Sequence, residues 1–151
     1  SPDCELNVID TEGSFYGYPF KHAKSVIDPE FGHLIPSINK KFIDPIAELG
    51  PHVAPLGVAF YDQDIFPAKY KNSLFVALHG SWNRTKKSGY KLVFIQLDEE
   101  GNYVSQEDFI TGWLSSESAW GRPVSPYIMS DGSMLLSDDK YNVIYRVSYK
   151  G

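Results

Sequence analysis

Two stretches of this 151-residue chain follow one plan: an apolar strand, a polar insertion, then a second strand that ends near a turn. The first, LFVALHG…GYKLVFIQLDEEG, starts at Leu74; the second, MLLSDDK…NVIYRVSYKG, starts at Met134, 60 positions later. A strand-pair unit that recurs in this way constrains the fold more than any single motif, because one unit cannot cover its own apolar faces and must stack on its copies. The expected fold is all-β, with a β-propeller as the architecture and a β-sandwich as the second choice. Blades commonly take about 40–50 residues, so these carry long loops. A ring needs at least about four blades and this length holds about two to three, so the expectation is an incomplete propeller whose missing blades come from elsewhere.

Strands are expected at 58–61, 74–78, 90–97, 124–129, 133–137 and 142–149, with turns at 98–102 and 130–132. In NVIYRVSY, Val143, Tyr145, Val147 and Tyr149 share one face, and Ile144, Arg146 and Ser148 the other. Upstream, Pro and Gly recur from Pro2 to Gly57 too densely for long helices, and the one helical candidate is a short stretch at Ile43–Leu49. The chain therefore reads as a single partial propeller domain, 1–151, with a loop-rich segment at 1–57, a blade at 58–111 and a last blade at 112–151.

Net charge is −5 with no block of basic residues, which sets nucleic acid aside as a partner. Aromatic residues make up 15% of the chain, a richness that suits half-buried sheets and also carbohydrate or flat-cofactor pockets. The single cysteine, Cys4, has no internal disulfide partner. No apolar run approaches the roughly 18 residues of a membrane span. SPDCELNVID is not a signal peptide, so any export leader is expected to have been removed or to lie upstream.

Three loops carry side chains that ordinary turns do not need. In GPHVAPLG, His52 sits on a segment stiffened by proline and glycine; it is either a solvated histidine or a hydrogen-bond partner for a ligand carboxylate or carbonyl. In HGSWNR, Gly80 permits a backbone bend that turns its neighbours toward one point. There His79 and Arg84 can meet an anion and Trp82 can offer a stacking face, unless the loop is simply a long hairpin. Asn83-Arg84-Thr85 is also a glycosylation triplet. In AWGRPV, Trp120 precedes an arginine, Arg122, held between Gly121 and Pro123 and so readied for a carboxylate. Asp138-Asp139 has ordinary turn composition. Asp3, Glu5 and Asn7 alternate as oxygen donors of the kind calcium accepts.

Taken together, SPDCELNVI…FYGYPF, LGPHVAPLGVAFY, FPAKYKNSLFVALHGSWNRT…GY and WGRPVSPYIMSDGSMLLSDDKYNVIYRVSY resemble the C-terminal part of the glucose/sorbosone dehydrogenases, the soluble sugar dehydrogenases that depend on pyrroloquinoline quinone (PQQ). The resemblance implies a six-bladed propeller that holds PQQ and calcium and oxidises a sugar or aldehyde by hydride transfer to the quinone. It implies cofactor-binding roles for Arg122, His52, His79 and Arg84, with Trp82 and Trp120 lining the pocket. Glu5 matches an acidic residue near a second, structural calcium. None of His22, His33, His52 and His79 matches the family's histidine base, and the ligands of the PQQ-associated calcium are expected upstream of Ser1.

The sequence thus reads as a fragment of a PQQ-dependent aldose or sorbosone dehydrogenase, periplasmic or secreted, supplying part of the cofactor rim without the catalytic base. On its own it is expected to be inactive and to be able to self-associate through open blade faces. The rival is a non-catalytic propeller-type module that binds a protein or a carbohydrate.

Overall fold

The computed structural model describes residues 2–151, which divide into two compact units between Pro51 and His52. In the first unit the density of turn residues leaves room only for short strands. β1 (Cys4–Leu6) pairs antiparallel with β4 (Ala47–Gly50), and β2 (Lys21–His22) pairs with β3 (Val26–Ile27). A 3-10 helix covers Gly32–Ser37. The expected helix at Ile43–Leu49 is instead the loop into β4. Pro45 interrupts it, and Ala47 and Leu49 are buried while Glu48 is exposed, an alternation of period two that only a strand can use.

The second unit is built from two antiparallel meanders. The first has β5 (Pro55–Tyr61), β6 (Ser73–Leu78), β7 (Lys91–Leu97) and β8 (Tyr103–Ile110), hydrogen-bonded in chain order. A small hairpin of β9 (Leu114–Ser115) and β10 (Ser118–Ala119) follows. The second meander has β11 (Pro123–Ile128), β12 (Met134–Asp138) and β13 (Val143–Val147). Strands expected from the pattern lie within a few residues of those observed. β8 was not expected, because its polar sequence YVSQEDFI is half exposed at the sheet edge and carries little apolar signal.

The repeat seen in the sequence is also a repeat of register. Leu74 pairs with Phe60 and Ile95, and Met134, 60 positions on, pairs with Ile128 and Val147. Each first strand opens with a proline opposite the last residue of its neighbour, Pro55 against Leu78 and Pro123 against Asp138, and each then shifts register within the next three residues.

The core lies between the two sheets. Phe75, Ala77, Leu92 and Phe94 of the first face Met134 and Leu136 of the second, with Tyr61, Phe66, Tyr90 and Trp113 closing the cluster. The rings pack closely: Tyr61 and Phe66 stack with centroids 4.8 Å apart, and Phe75 meets Phe109 at 4.6 Å. Gly57 sits where the sheets come nearest; a Cβ there would lie 2.5 Å from Ser125 Cα, so only glycine lets the two first strands approach. The Tyr61 hydroxyl ties one end of the unit, donating to Gly132 O at 3.0 Å and accepting from the Phe66 amide at 2.9 Å.

At the other end stands Asp138, 2% exposed. Its Oδ1 accepts from the amides of Arg122, Lys140 and Tyr141 at 2.8–3.0 Å, and its Oδ2 from the Tyr145 hydroxyl at 3.1 Å. The expected turn role of Asp138 is met by this set of bonds.

Replacing Asp138 by Ala strands four part-buried donors, and we expect a loss of about 3 kcal/mol; Asp138→Asn keeps an acceptor and costs about 1 kcal/mol. Urea unfolding followed through the buried Trp113 measures both. A pH effect is expected from Asp131, whose carboxyl is held below the ordinary carboxylate range by the Ser133 hydroxyl and amide and by the Arg146 guanidinium. Its folded pKa is depressed, so its contribution is present above the unfolded value of about 4 and disappears as pH falls through the folded one. Asp131→Asn is expected to flatten that part of the acid limb in thermal melts taken below about pH 5.

Candidate functional site

Strand direction gathers the candidate residues. β5 and β11 run away from one end of the second unit and β6 and β12 run back to it, so residues 52–54, loop 79–90, hairpin 114–119 with residues 120–122, and turn 139–142 share that end. Backbone bonds weld the first two: the amides of His79 and Gly80 donate to Ala54 O at 3.0 Å and Val53 O at 2.8 Å. Gly80 has φ +99° and lies under the Tyr90 ring, where a Cβ would come within 2.5 Å of ring carbons. The bend expected at Gly80 is therefore present, and a side chain is excluded there twice over.

Arg122 turns inward to the protein backbone. Its Nε donates to His79 O at 3.0 Å, a terminal nitrogen donates to Gly80 O, and the guanidinium lies 5.4 Å from the Tyr90 ring centroid. Its amide is held by Asp138. The arginine thus joins the second sheet to the end of β6. His79 is bonded through Nε2 to Asp139 Oδ1 at 2.9 Å, joining equivalent positions of the two repeats. Trp82 is 82% exposed, with its indole presented to solvent. Trp120 is 46% exposed, donates to Gly112 O at 2.7 Å and meets Tyr141 edge-on at 5.4 Å. Arg84 Nε bonds within its own loop, to Lys86 O. His52 is exposed in a left-handed turn with φ +58°.

A polar cavity of about 320 Å³ opens here between loop 79–90, the 117–122 segment and Lys140. Lys87, Glu117 and Lys140 line it and were not anticipated. Their only sequence signals were a Lys-Lys pair in a long insertion and a lysine after two aspartates, which read as solvated turns. The Lys87 amide is anchored by Glu117 Oε2 at 2.5 Å and the Lys140 amide by Asp138, while neither ammonium group has a hydrogen bond or ion pair among the described residues.

Glu5 lies in the first unit. Its Oε1 accepts from the Ala23 amide at 2.5 Å and its Oε2 from Asn7 Nδ2 at 3.1 Å, so both oxygens brace the local chain. Among the described residues no three His, Cys, Asp or Glu side chains stand together as a metal site.

Residues 36–150 match the TrAA12-like family. The chain belongs to that family. An uncharacterized protein of Borreliella burgdorferi is 41% identical over 151 residues, covering 99% of this chain and 40% of that protein. The fold is similar to a structure of Trichoderma reesei Carbohydrate-Active Enzymes Family AA12, with TM-score 0.73 and 21% identity, over 99% of this chain and 44% of that one. It is also similar to the holo pyranose dehydrogenase PQQ domain from Coprinopsis cinerea, with TM-score 0.69 and 20% identity, over 97% of this chain and 49% of that one. The chain therefore spans less than half the length of these relatives.

Arg122→Lys tests the clamp. Lysine lacks the fork that reaches two carbonyls and the plane that lies on Tyr90. Hydrogen exchange at the Ser81 amide, which bonds Ser88 O at 2.9 Å, is expected to accelerate roughly tenfold while the sheet amides stay protected. Unchanged exchange would overturn this role for Arg122.

Proposed function

We propose that this TrAA12-like chain forms two neighbouring blades of a six-bladed propeller and contributes a rim to the cofactor site of a periplasmic or secreted PQQ-dependent sugar dehydrogenase. The two simple meanders support blades over a sandwich, since Greek-key sandwiches send strands from one sheet to the other and this chain does not.

The observation that carries the reading is the convergence of cationic and aromatic side chains on the loop end. PQQ is a flat molecule with three carboxylates. The Arg122 and Arg84 guanidinium groups and the His79 imidazole suit its charge, and Trp120 suits its ring. When bound, PQQ supplies a two-electron acceptor for hydride taken from a sugar. Arg122 fixes the floor of the rim through the His79 and Gly80 carbonyls, and the His79–Asp139 bond holds the neighbouring loop and turn in place. Calcium does not fit the residues described: Glu5 is engaged with Ala23 and Asn7, and no other cluster offers the ligands.

One observation favours the rival reading of a non-catalytic binding module that self-associates or takes a protein or carbohydrate partner. Leu56, Val58 and Phe60 lie on one face of edge strand β5 and are each about half exposed. In the propeller reading a further blade covers them.

Titration of PQQ into the purified chain, followed by quenching of tryptophan emission, separates the two. Saturable quenching is expected, weakened roughly tenfold by Arg84→Gln. No saturation up to millimolar PQQ would sink the cofactor-rim reading.

A further inference from the structure

We infer that the cavity beside Trp82 is a subsite for a carboxylated sugar, a uronate, held by the Lys87 and Lys140 ammonium groups with the Trp82 indole against the ring. The inference deepens the proposed function, resting on it only in that a sugar meets this rim.

Two cations at this end are already engaged. Arg122 has committed Nε and a terminal nitrogen to the His79 and Gly80 carbonyls and its plane to Tyr90. His79 is bonded to Asp139. Lys87 and Lys140 are different. Each has its backbone amide pinned by a carboxylate, Lys87 by Glu117 and Lys140 by Asp138, so the base of each side chain is fixed, while its ammonium has no hydrogen bond or ion pair among the described residues. Both line one cavity, which lies near the lower end of the usual range for small-ligand pockets, about 300–1,000 Å³. A neutral sugar would leave two ammonium groups unanswered there, whereas a carboxylate fills them with charge-assisted bonds.

The other walls are suited to the rest of a sugar. Trp82 is 82% exposed, a cost to a soluble surface that a stacked pyranose would offset, since the C–H face of a sugar is apolar and its edges are polar. Glu117, whose Oε2 already accepts from the Lys87 amide, and the exposed Ser118 line the same cavity and offer an acceptor and a hydroxyl. The carboxylate of Glu117 also gives the site direction: it repels the ligand's acid group toward the lysines and accepts its hydroxyls. A simple anion would gain from the lysines and lose beside Glu117, and it would leave Trp82 uncovered.

The test titrates the full chain with D-glucuronate, trigalacturonate, D-glucose and acetate, following the Trp82 indole N–H by nitrogen–proton NMR with Trp82→Phe to assign it. Glucuronate or trigalacturonate is expected to bind roughly tenfold more tightly than both glucose and acetate. The free acid sugar supports a monosaccharide source, and the oligomer a polysaccharide end. Lys87→Gln and Lys140→Gln are each expected to weaken the acid sugar about threefold and leave glucose unchanged, and both should fold because the replaced ammonium groups make no hydrogen bond or ion pair among the described residues. Equal binding of glucuronate and glucose, equal binding of glucuronate and acetate, or affinity unmoved by both lysine substitutions overturns the inference. No PQQ is present, so failure of the cofactor titration leaves this result standing, and failure here leaves the cofactor reading standing.

Discussion

A carboxylate buried to 2% exposure is tolerable only when its oxygens are filled, and Asp138 has four donors: three backbone amides and the Tyr145 hydroxyl. Tyr145 in turn accepts from Trp113 Nε1 at 3.2 Å, so the chain of bonds runs from the start of β11 through the turn after β12 to the aromatic core. Burial and hydrogen bonding to Asp138 push the Tyr145 hydroxyl pKa upward, keeping it a neutral donor. Close packing enforces the arrangement, because a Cβ at Gly121 would lie 2.2 Å from Asp138 Oδ2. The backbone of Arg122 is therefore fixed before its side chain makes any contact, and the direction of that side chain follows.

Two apolar sheet faces alone would tolerate sliding, since hydrophobic contact is not directional. The polar ties at the two ends remove that freedom. Tyr61 bonds the first sheet to Gly132 at one end, while Arg122 grips the carbonyls after β6 at the other. Loop 79–90 begins at the second of these ties, so it can be long and polar and yet start from a fixed platform.

Much of this was legible where a signal is local. Leu74–Leu78 and Val143–Val147 read as strands because alternation or a continuous apolar run survives in the sequence. The bend at Gly80 was legible because only one residue type permits it. Ile43–Leu49 was not, since Ala, Glu and Leu favour a helix locally while β4 forms by pairing with β1, more than forty residues away. Arg122 was visible as a restrained arginine between glycine and proline. That it holds the carbonyls of residues 79 and 80 is a non-local fact with no mark in its neighbourhood. Lys87 and Lys140 were passed over because a lysine in a turn looks alike whether its ammonium faces bulk water or a cavity.

The matching register shifts after Pro55 and Pro123 have a consequence for how such a protein can change. Because both sheets begin from the same offset frame, a loop grown on one repeat emerges at the same place and angle as the corresponding loop on the other. Insertion length and side-chain chemistry can then differ, as the twelve-residue loop after Leu78 and the four-residue turn after Asp138 do, while the frame stays the same. The shared offset is the mould, and the two repeats differ in what each hangs from it.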